Sequence, residues 1–316
     1  MYYFIVNQTS GHGRGGRVWK RIAAKLNHES VPHKVFFTEK PGHATSIVQQ
    51  LITEYEQQLK EEAKQSKQAN IDGVIAVGGD GTIQEVVNGL IDHPIPFGCI
   101  PAGSGNDFLR GLLGETKVEL ALERILKRRT HSRETQQQRI DIVRIGHRTC
   151  LTVVGIGFDG QIAKTANESK VKKWLNRVKL GRLCYIFSLL QVLGKYQPVD
   201  VEITIDGKKH CFSNVWLIAV ANMPFYAGGM AICPQAKYND GRLDVCIVHN
   251  LSRWQLLRLL PLVFSGRHVS KPGIDFYYGK KIEVTSASPL VVHGDGEIVG
   301  ETPIQVSVQP DTLQLL

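Results

Sequence analysis

Val77-Gly78-Gly79-Asp80-Gly81-Thr82 ends one kind of sequence and begins another. Before it, Gly73–Val77 is a short apolar run, the pattern of a buried strand. After it, apolar residues fall at 83, 86, 87, 90 and 91, the spacing of one helix face. The glycines in the join permit positive φ and close approach of backbone to a ligand. Backbone N–H groups at a helix start attract phosphate. The stretch reads as strand, glycine turn and helix around a phosphate, with Asp80 able to organise Mg²⁺. A bare strand-to-helix turn capped by Thr82 is the alternative.

Pro101-Ala102-Gly103-Ser104-Gly105-Asn106-Asp107-Phe108 repeats the pattern after the short apolar strand Phe97–Ile100 and before another helical segment. Two such loops on consecutive strands belong side by side on the carboxyl edge of one sheet, where open α/β sheets bind ligands. A third glycine loop, Asn7–Gly16, follows the strand Tyr3–Asn7 and enters a helix over Gly15–Leu26. By itself that loop reads equally as a flexible surface turn. Thr38 ends the strand Lys34–Thr38 and reads alone as a strand-end residue.

Strand and helix continue to alternate through helices at Ala44–Lys67 and Leu120–Lys127, which predicts a parallel sheet with helices on both faces. The charged stretch Lys127–Arg139 reads as an exposed connection. Beyond it the rhythm changes. Strands are expected at Ile140–Ile145, Thr149–Gly155, Val199–Ile205, Val215–Ala221, Leu243–Val248, Lys281–Thr285 and Pro289–Val292. Helices are expected at Gly160–Arg177, Arg182–Leu193 and Arg253–Phe264. Strands at this density suggest an antiparallel sandwich. The expectation is an α/β fold of two domains, 1–140 and 141–311, with a cleft between them and with the tail 312–316 returning to the first.

The chain has 316 residues and a formal net charge of +9. The charge suits an anionic partner, a nucleotide or an anionic membrane surface. No aromatic-interleaved basic motif or zinc-ligand spacing supports nucleic acid. The cysteines at 99, 150, 184, 211, 233 and 246 form no C-x-x-C pair and read as buried reduced thiols of a cytoplasmic protein. No apolar run is long enough to span a bilayer, so membrane contact is expected to be peripheral. Lysines and arginines from Lys170 to Arg182 interleave with Trp174, Leu175, Val178 and Leu180, either a bilayer-facing patch or a solvated helix face. Asn222–Gly229 reads as a mobile loop with exposed aromatics.

Carboxylates supply the remaining candidates. Asp80, Asp107 and Asp141 could hold Mg²⁺ through water beside a triphosphate, whose charge would otherwise repel them. Asp141, inside the apolar strand Arg139–Val143, reads equally as an edge-strand salt bridge. Asp295-Gly296 is by itself a hairpin turn. His293 reads as a strand-end histidine. Gln235–Asp244 contains an Asn-Asp-Gly turn.

Together these motifs resemble the soluble diacylglycerol kinase catalytic-domain family, which includes bacterial lipid kinases and the sphingosine and ceramide kinases. The resemblance covers nearly the whole chain. The first loop is shared with NAD kinases and, in similar form, with phosphofructokinases; the second favours the lipid kinases. Gln8 departs from the family pattern, which has proline there, while Asn7, Ser10 and Gly11 remain. The resemblance implies an N-terminal Rossmann-like nucleotide domain, akin to NAD kinase and phosphofructokinase folds, and a β-sandwich-like second domain. It implies ATP phosphates on Gly78, Gly79, Asp80, Gly81 and Thr82 and on Gly103, Ser104, Gly105 and Asn106, with Asn7, Ser10, Gly11 and Thr38 nearby. It implies water-mediated Mg²⁺ at Asp80, Asp107 and Asp141. Asp295-Gly296-Glu297 matches a signature whose acids are assigned as catalytic, Glu297 as the base and Asp295 as its orienter. A structural cation would take the Asp240 side chain and the carbonyls of Lys237 and Arg242. The implied activity is transfer of the ATP γ-phosphate to a lipid hydroxyl, with diacylglycerol giving phosphatidic acid. A soluble-substrate kinase such as an NAD kinase, and a non-catalytic lipid- or nucleotide-binding protein, are the rivals. A cytoplasmic protein peripherally bound to anionic membrane, with no nucleic-acid partner and as a homodimer, completes the expectation.

Overall fold

Four parallel strands carry the glycine loops. They are β1 (Tyr2–Val6), β2 (His33–Phe37), β3 (Gly73–Gly78) and β4 (Phe97–Pro101), in the order β2-β1-β3-β4. The chain steps from β1 to β2 on one side, then crosses to β3 on the other, so the sheet has a switch point beside β1. The computed structural model describes residues 1–62, 71–114, 116–130, 138–168 and 189–316. It divides into Met1–Ile140 with Asp311–Leu316, and Asp141–Pro310.

In the first unit, helices α1 (Ser10–His28) and α5 (Val118–Thr130) share a core with Tyr2, Phe4, Val6, Ile75, Val77 and Ile100. The intervening strand residues Ile5, Val74 and Ala76 are equally buried and point the other way. Burial on both faces explains why these strands read as unbroken apolar runs. Helices α2 (His43–Glu62) and α3 (Asp80–Leu90) pack together: a Cβ on Gly89 would meet Val48 at 2.7 Å, and Thr45 donates to the Glu85 carbonyl at 2.8 Å. The regular part of α1 begins after Gly11, His12 and Gly13, all left-handed, close to the expected Gly15. The C-terminal residues belong to this unit. Leu315 donates to Gln138 O at 2.8 Å and Leu316 to Phe97 O at 2.7 Å, and the Leu316 side chain lies over Gly73 and Gly98.

The second unit is built from antiparallel strands. Its centre is β9 (Lys208–Ala221), flanked by β7 (Val153–Gly157), β8 (Val199–Ile205) and β12 (Leu243–His249). Along β9, Ile218 and Val220 face one core, while Leu217, Ala219 and Ala221 face another built with Phe158, Ile162, Leu189, Leu193 and Leu256. The second core is covered by α6 (Phe158–Glu168), by helical residues 189–195, and by α7 (Arg253–Phe264). Thr149–Gly155 is two strands rather than one: β6 (Arg148–Cys150) and β7, separated by the turn at Leu151–Thr152. The strand expected at 289–292 is β15 (Val291–Gly294), which pairs with β7 and β16 (Glu297–Glu301). Strands β13 (Ile274–Gly279), β16 and β17 (Ile304–Gln314) were not expected. Asn222–Gly229 does not carry exposed aromatics: Tyr226 is buried, Phe225 is half-buried, and both pair with β11 (Met230–Ala231) as β10 (Phe225–Tyr226). Cys99, Cys150, Cys233 and Cys246 are buried and free, as expected, but Cys211 is exposed on β9.

What joins the loops of the first unit is backbone contact. A Cβ on Gly103 would lie 2.5 Å from Gly79 Cα, and one on Gly11 would lie 2.3 Å from Ala102 O. Only hydrogen fits in both places. Gly81, by contrast, faces open space in the first turn of α3. Gly103→Ala should therefore lower the unfolding free energy by about 2–3 kcal/mol, the usual penalty of overpacking. Gly81→Ala should be neutral or stabilising by up to about 1 kcal/mol. Thermal melting of the two variants distinguishes them, and equal melting would contradict the contact.

Candidate active site

The three glycine loops meet at the carboxyl ends of β1, β3 and β4. Asn7 N donates to Val77 O at 3.0 Å, and Ala102 N donates to Gly78 O at 2.7 Å, extending the sheet into the loops. The Asn7 side chain ties two of them: Nδ2 donates to Thr82 Oγ1 at 3.0 Å, while Oδ1 accepts Ser10 N at 3.1 Å. Ser10 Oγ donates to Asn7 O at 2.9 Å. Asn106 closes the second loop on itself, accepting Gly103 N at 2.9 Å and donating to Gly103 O at 3.1 Å. It does so in the left-handed region, φ 54°, immediately before α4 (Asp107–Leu113). Thr38 N donates to Val6 O at 3.0 Å at the end of β2, so Thr38 stands at the same sheet edge.

Helix α3 starts at Asp80 with Gly79 extended before it and no side-chain cap. Its first N–H groups have no carbonyl inside the helix to bond, and the helix dipole favours an anion there. Gly81 and Ser104 are exposed, Gly79 and Gly105 half-buried, and Gly78, Thr82 and Asn106 buried. The buried members shape the loops and the open ones are free to meet a phosphate. Asp80 Oδ1 accepts Phe108 N at 3.1 Å, so the first loop's acid holds the start of α4, where Asp107 is buried in the first turn. Hard oxygen donors beside the unbonded amides of a helix start would suit a Mg²⁺ bound through water. The third acid is placed differently. Asp141 is 1% exposed, and its Oδ2 accepts Gly241 N at 2.7 Å; Asn222 Nδ2 donates to its carbonyl at 2.8 Å.

Asp295 and Gly296 form the β15–β16 turn, both at positive φ, 50° and 86°. The Asp295 carboxylate is turned inward. Oδ2 accepts Leu151 N at 2.7 Å; Oδ1 accepts Thr152 N at 3.0 Å and the Thr152 hydroxyl. Asp295 is thus an anchor for the turn. Burial of the neighbouring Cys150 thiol, and then the Asp295 charge, push that thiol well up, which leaves it unreactive. Glu297 is exposed, and among the described residues nothing hydrogen-bonds its carboxylate. Of the two acids it is the one free to accept a proton.

The turn at Lys237–Arg242 lies beside Asp141. Tyr238 O accepts Asp141 N at 2.7 Å, and Asp240 Oδ1 accepts Arg242 N at 3.1 Å. Asp244 stands close by. Burial, and then the Asp240 charge, push its carboxyl up to about 6 against the pull of Lys237. Excess negative charge among oxygen donors fits a hard cation.

The second unit also holds an apolar pocket that is partly open to solvent. Its walls are apolar, with Leu189, Leu193, Tyr226, Met230, Leu256 and Val263 among them; Asp159 and His268 are the polar exceptions. His268 Nε2 donates to Ile232 O at 3.0 Å in the tautomer that satisfies this contact, and burial lowers its pKa. Sequence reasoning gave no role to Thr152 and did not find this pocket, both of which depend on contacts between distant segments. It met Asp159 only in the stretch Gly155–Gly160, which resembles the family's Gly-x-Gly-x-Asp, and Asp244 only as the last residue of the stretch Gln235–Asp244. The basic patch Lys170–Arg182 and Cys184 lie outside the described residues, as does most of Lys127–Arg139 beyond position 130.

Two family models match the chain. The family model for the diacylglycerol kinase catalytic domain matches residues 1–138, and that for the YegS C-terminal NAD kinase beta sandwich-like domain matches residues 152–316. "Putative lipid kinase YtlR" of Bacillus subtilis (strain 168) is 33% identical over 317 residues, covering 99% of this chain and 98% of its own. The chain belongs to the diacylglycerol kinase catalytic-domain family. A diacylglycerol kinase of Mycobacterium tuberculosis (strain ATCC 25618 / H37Rv) is 29% identical, over 99% of this chain and 93% of its own. Among solved structures, one described as "a putative diacylglycerol kinase" from Bacillus anthracis str. Sterne matches with a TM-score of 0.73 at 23% identity, over 99% of this chain and 96% of its own. An Archaeoglobus fulgidus NAD kinase in complex with ATP matches at 0.50 and 17%, over 99% and 92%. These structures share the two-part fold: a parallel sheet, then an antiparallel, sandwich-like domain.

The family fold leaves a measurable mark at Asp244. Its carboxyl is raised in the folded protein above its ordinary 3.8. Between about pH 4 and 6 the folded state therefore holds a proton that the unfolded state releases, and stability falls as pH rises through that window. In chelator, Asp244→Asn should remove this part of the slope. Chemical denaturation at pH 4, 5, 6 and 7 checks it: the wild type should lose stability relative to the variant across the window. Parallel curves would contradict the crowding of charge at this turn.

Proposed function

We propose that this protein is an ATP-dependent lipid kinase that transfers the γ-phosphoryl group to a lipid hydroxyl. Diacylglycerol is the first candidate, with phosphatidic acid as product. The observation that carries the lipid reading is the apolar cavity in the unit that bears Glu297, since acyl chains are what such walls solvate. A nicotinamide dinucleotide, charged and hydroxylated, gains nothing from them. Helix α7 supports delivery from a membrane surface. Trp254 is 75% exposed and Phe264 56%, with Arg253 and Arg258 exposed on the same helix. Amphipathic segments of this kind lie in the interface of anionic bilayers. No helix among the described residues is long and apolar enough to cross a membrane. A cytoplasmic protein in reversible peripheral contact fits these features.

The chemistry follows from the groups in place. Amides of Gly79, Asp80 and Gly81 and of Ser104 and Gly105 bind and orient the ATP phosphates, while the Gly103 amide is held by Asn106, with Asn7, Ser10, Gly11 and Thr38 at the same sheet edge. Mg²⁺, held through water by Asp80, Asp107 and, on the resemblance, Asp141, would neutralise the triphosphate charge. The lipid hydroxyl oxygen forms the new P–O bond, its proton passes to Glu297, and the bond to the β-phosphate oxygen breaks as ADP leaves. Asp295 holds the turn from which Glu297 projects. A structural cation at Lys237 O, Asp240 and Arg242 O would stabilise the second unit.

Labelled ATP with diacylglycerol, other hydroxy-lipids and NAD, in mixed micelles, tests the reading. Phosphatidic acid should be the labelled product, and NAD should stay unlabelled. Glu297→Gln should lower kcat by about 100-fold, the scale of a general base. Its ATP affinity by calorimetry should stay within about twofold. Labelled NADP, or a Glu297→Gln enzyme at full turnover, would overturn the assignment.

A further inference from the structure

His293 lies in β15, two residues before Asp295, and is 3% exposed. Both of its ring nitrogens are engaged. Nδ1 accepts Gly296 N at 3.2 Å, inside the Asp295-Gly296-Glu297 turn. Nε2 is 2.9 Å from Asp159 Oδ2, in the first turn of α6. An N–H can be accepted only by an unprotonated ring nitrogen, so the proton sits on Nε2 and is donated to Asp159. The fit is tight. A Cβ on Gly155 would fall 2.2 Å from His293 Nε2 and 2.4 Å from Asp159 Oδ2, so the strand facing the pair has room only for glycine. Asp159 in turn lines the apolar cavity. A chain of contacts therefore runs from the cavity wall, through Asp159 and His293, to the amide that precedes Glu297.

The Asp295 carboxylate and the bond from Asp295 N to Val153 O at 3.2 Å fix the first half of the turn. His293 holds the second half, from which Glu297 departs. We propose that His293, kept in one tautomer by Asp159, is a positioning residue that sets the aim of Glu297 at the lipid hydroxyl. The inference rests on the kinase reading of this turn. A merely structural pair would matter for stability and leave the chemical step unchanged.

The test compares His293→Ala, His293→Asn and Glu297→Gln for kcat, lipid KM, ATP affinity and melting temperature. Asparagine places its Oδ1 close to the position of Nδ1 and can still accept Gly296 N. His293→Ala should lower kcat by about 10–50-fold, since small misplacements of catalytic groups carry penalties of this order. Lipid KM and ATP affinity should stay within about twofold. His293→Asn should recover kcat to within about fivefold of wild type. In the wild type, ¹⁵N imidazole shifts should show Nε2 protonated and Nδ1 bare. That readout stands even where a variant fails to fold. Full kcat in His293→Ala with Glu297→Gln inactive would overturn this inference alone. So would a proton on Nδ1, or His293→Asn as slow as His293→Ala. Full turnover in Glu297→Gln would overturn the kinase reading of the turn, and this inference with it.

Discussion

The contact of Gly79 with Gly103 is the constraint on which the first unit's site depends. Two loops from adjacent strands approach until backbone touches backbone, and a single methyl at Gly103 would enter the space of Gly79 Cα. That closeness brings the N-terminus of α3 beside the second loop. It also lets Asp80 of one loop hold the start of α4, which follows the other. Gly11 makes the same kind of approach to Ala102 from the first strand's loop. Amides from separate segments are thereby held side by side by packing that needs no ligand. Such preorganisation is what phosphoryl transfer asks of a protein, since positioning and charge stabilisation are most of its catalysis.

The second unit solves its local problem with carboxylates instead of glycines. Asp295, Asp141 and Asp206 each satisfy backbone N–H groups from segments far away in the chain: Leu151 and Thr152, Gly241, and Lys280 and Lys281. A charged acceptor makes a stronger hydrogen bond than a neutral one, and it is costly to leave unpaired when buried. Turns that a sandwich would otherwise leave loose are pinned in this way. Two acids of the candidate site, Asp141 and Asp295, are therefore also structural. Their replacement would move the turns around them, which is why Glu297, whose carboxylate is hydrogen-bonded by none of the described residues, is the cleaner probe of chemistry.

Sequence showed the glycine loops well because glycine encodes a steric requirement locally. The residue names at 78–81 and 103–105 already say where backbone must come close. The parallel sheet was legible for a similar reason, since strands buried on both faces read as unbroken apolar runs. The same rule found Val215–Ala221 but missed the polar first half of β9, where residues 208–214 are largely exposed and alternate weakly. Strands β16 and β17 were missed because turn residues and charges dilute their apolar pattern. The His293–Asp159 pair joins residues 134 apart, and the Gly241–Asp141 bond residues 100 apart. No spacing rule reaches across such distances. His293 therefore looked like the end of a strand, and Asp141 like an acid available to a metal or a salt bridge.

Backbone amide NMR during titration with Mg²⁺ and a non-hydrolysable ATP analogue tests the central claim most directly. The account predicts that the largest shift changes fall on Gly79–Thr82 and Gly103–Gly105 together, at one common saturation midpoint, because both loops meet the same phosphates. Changes at one loop with the other silent, or at neither, would contradict a nucleotide site built from their contact.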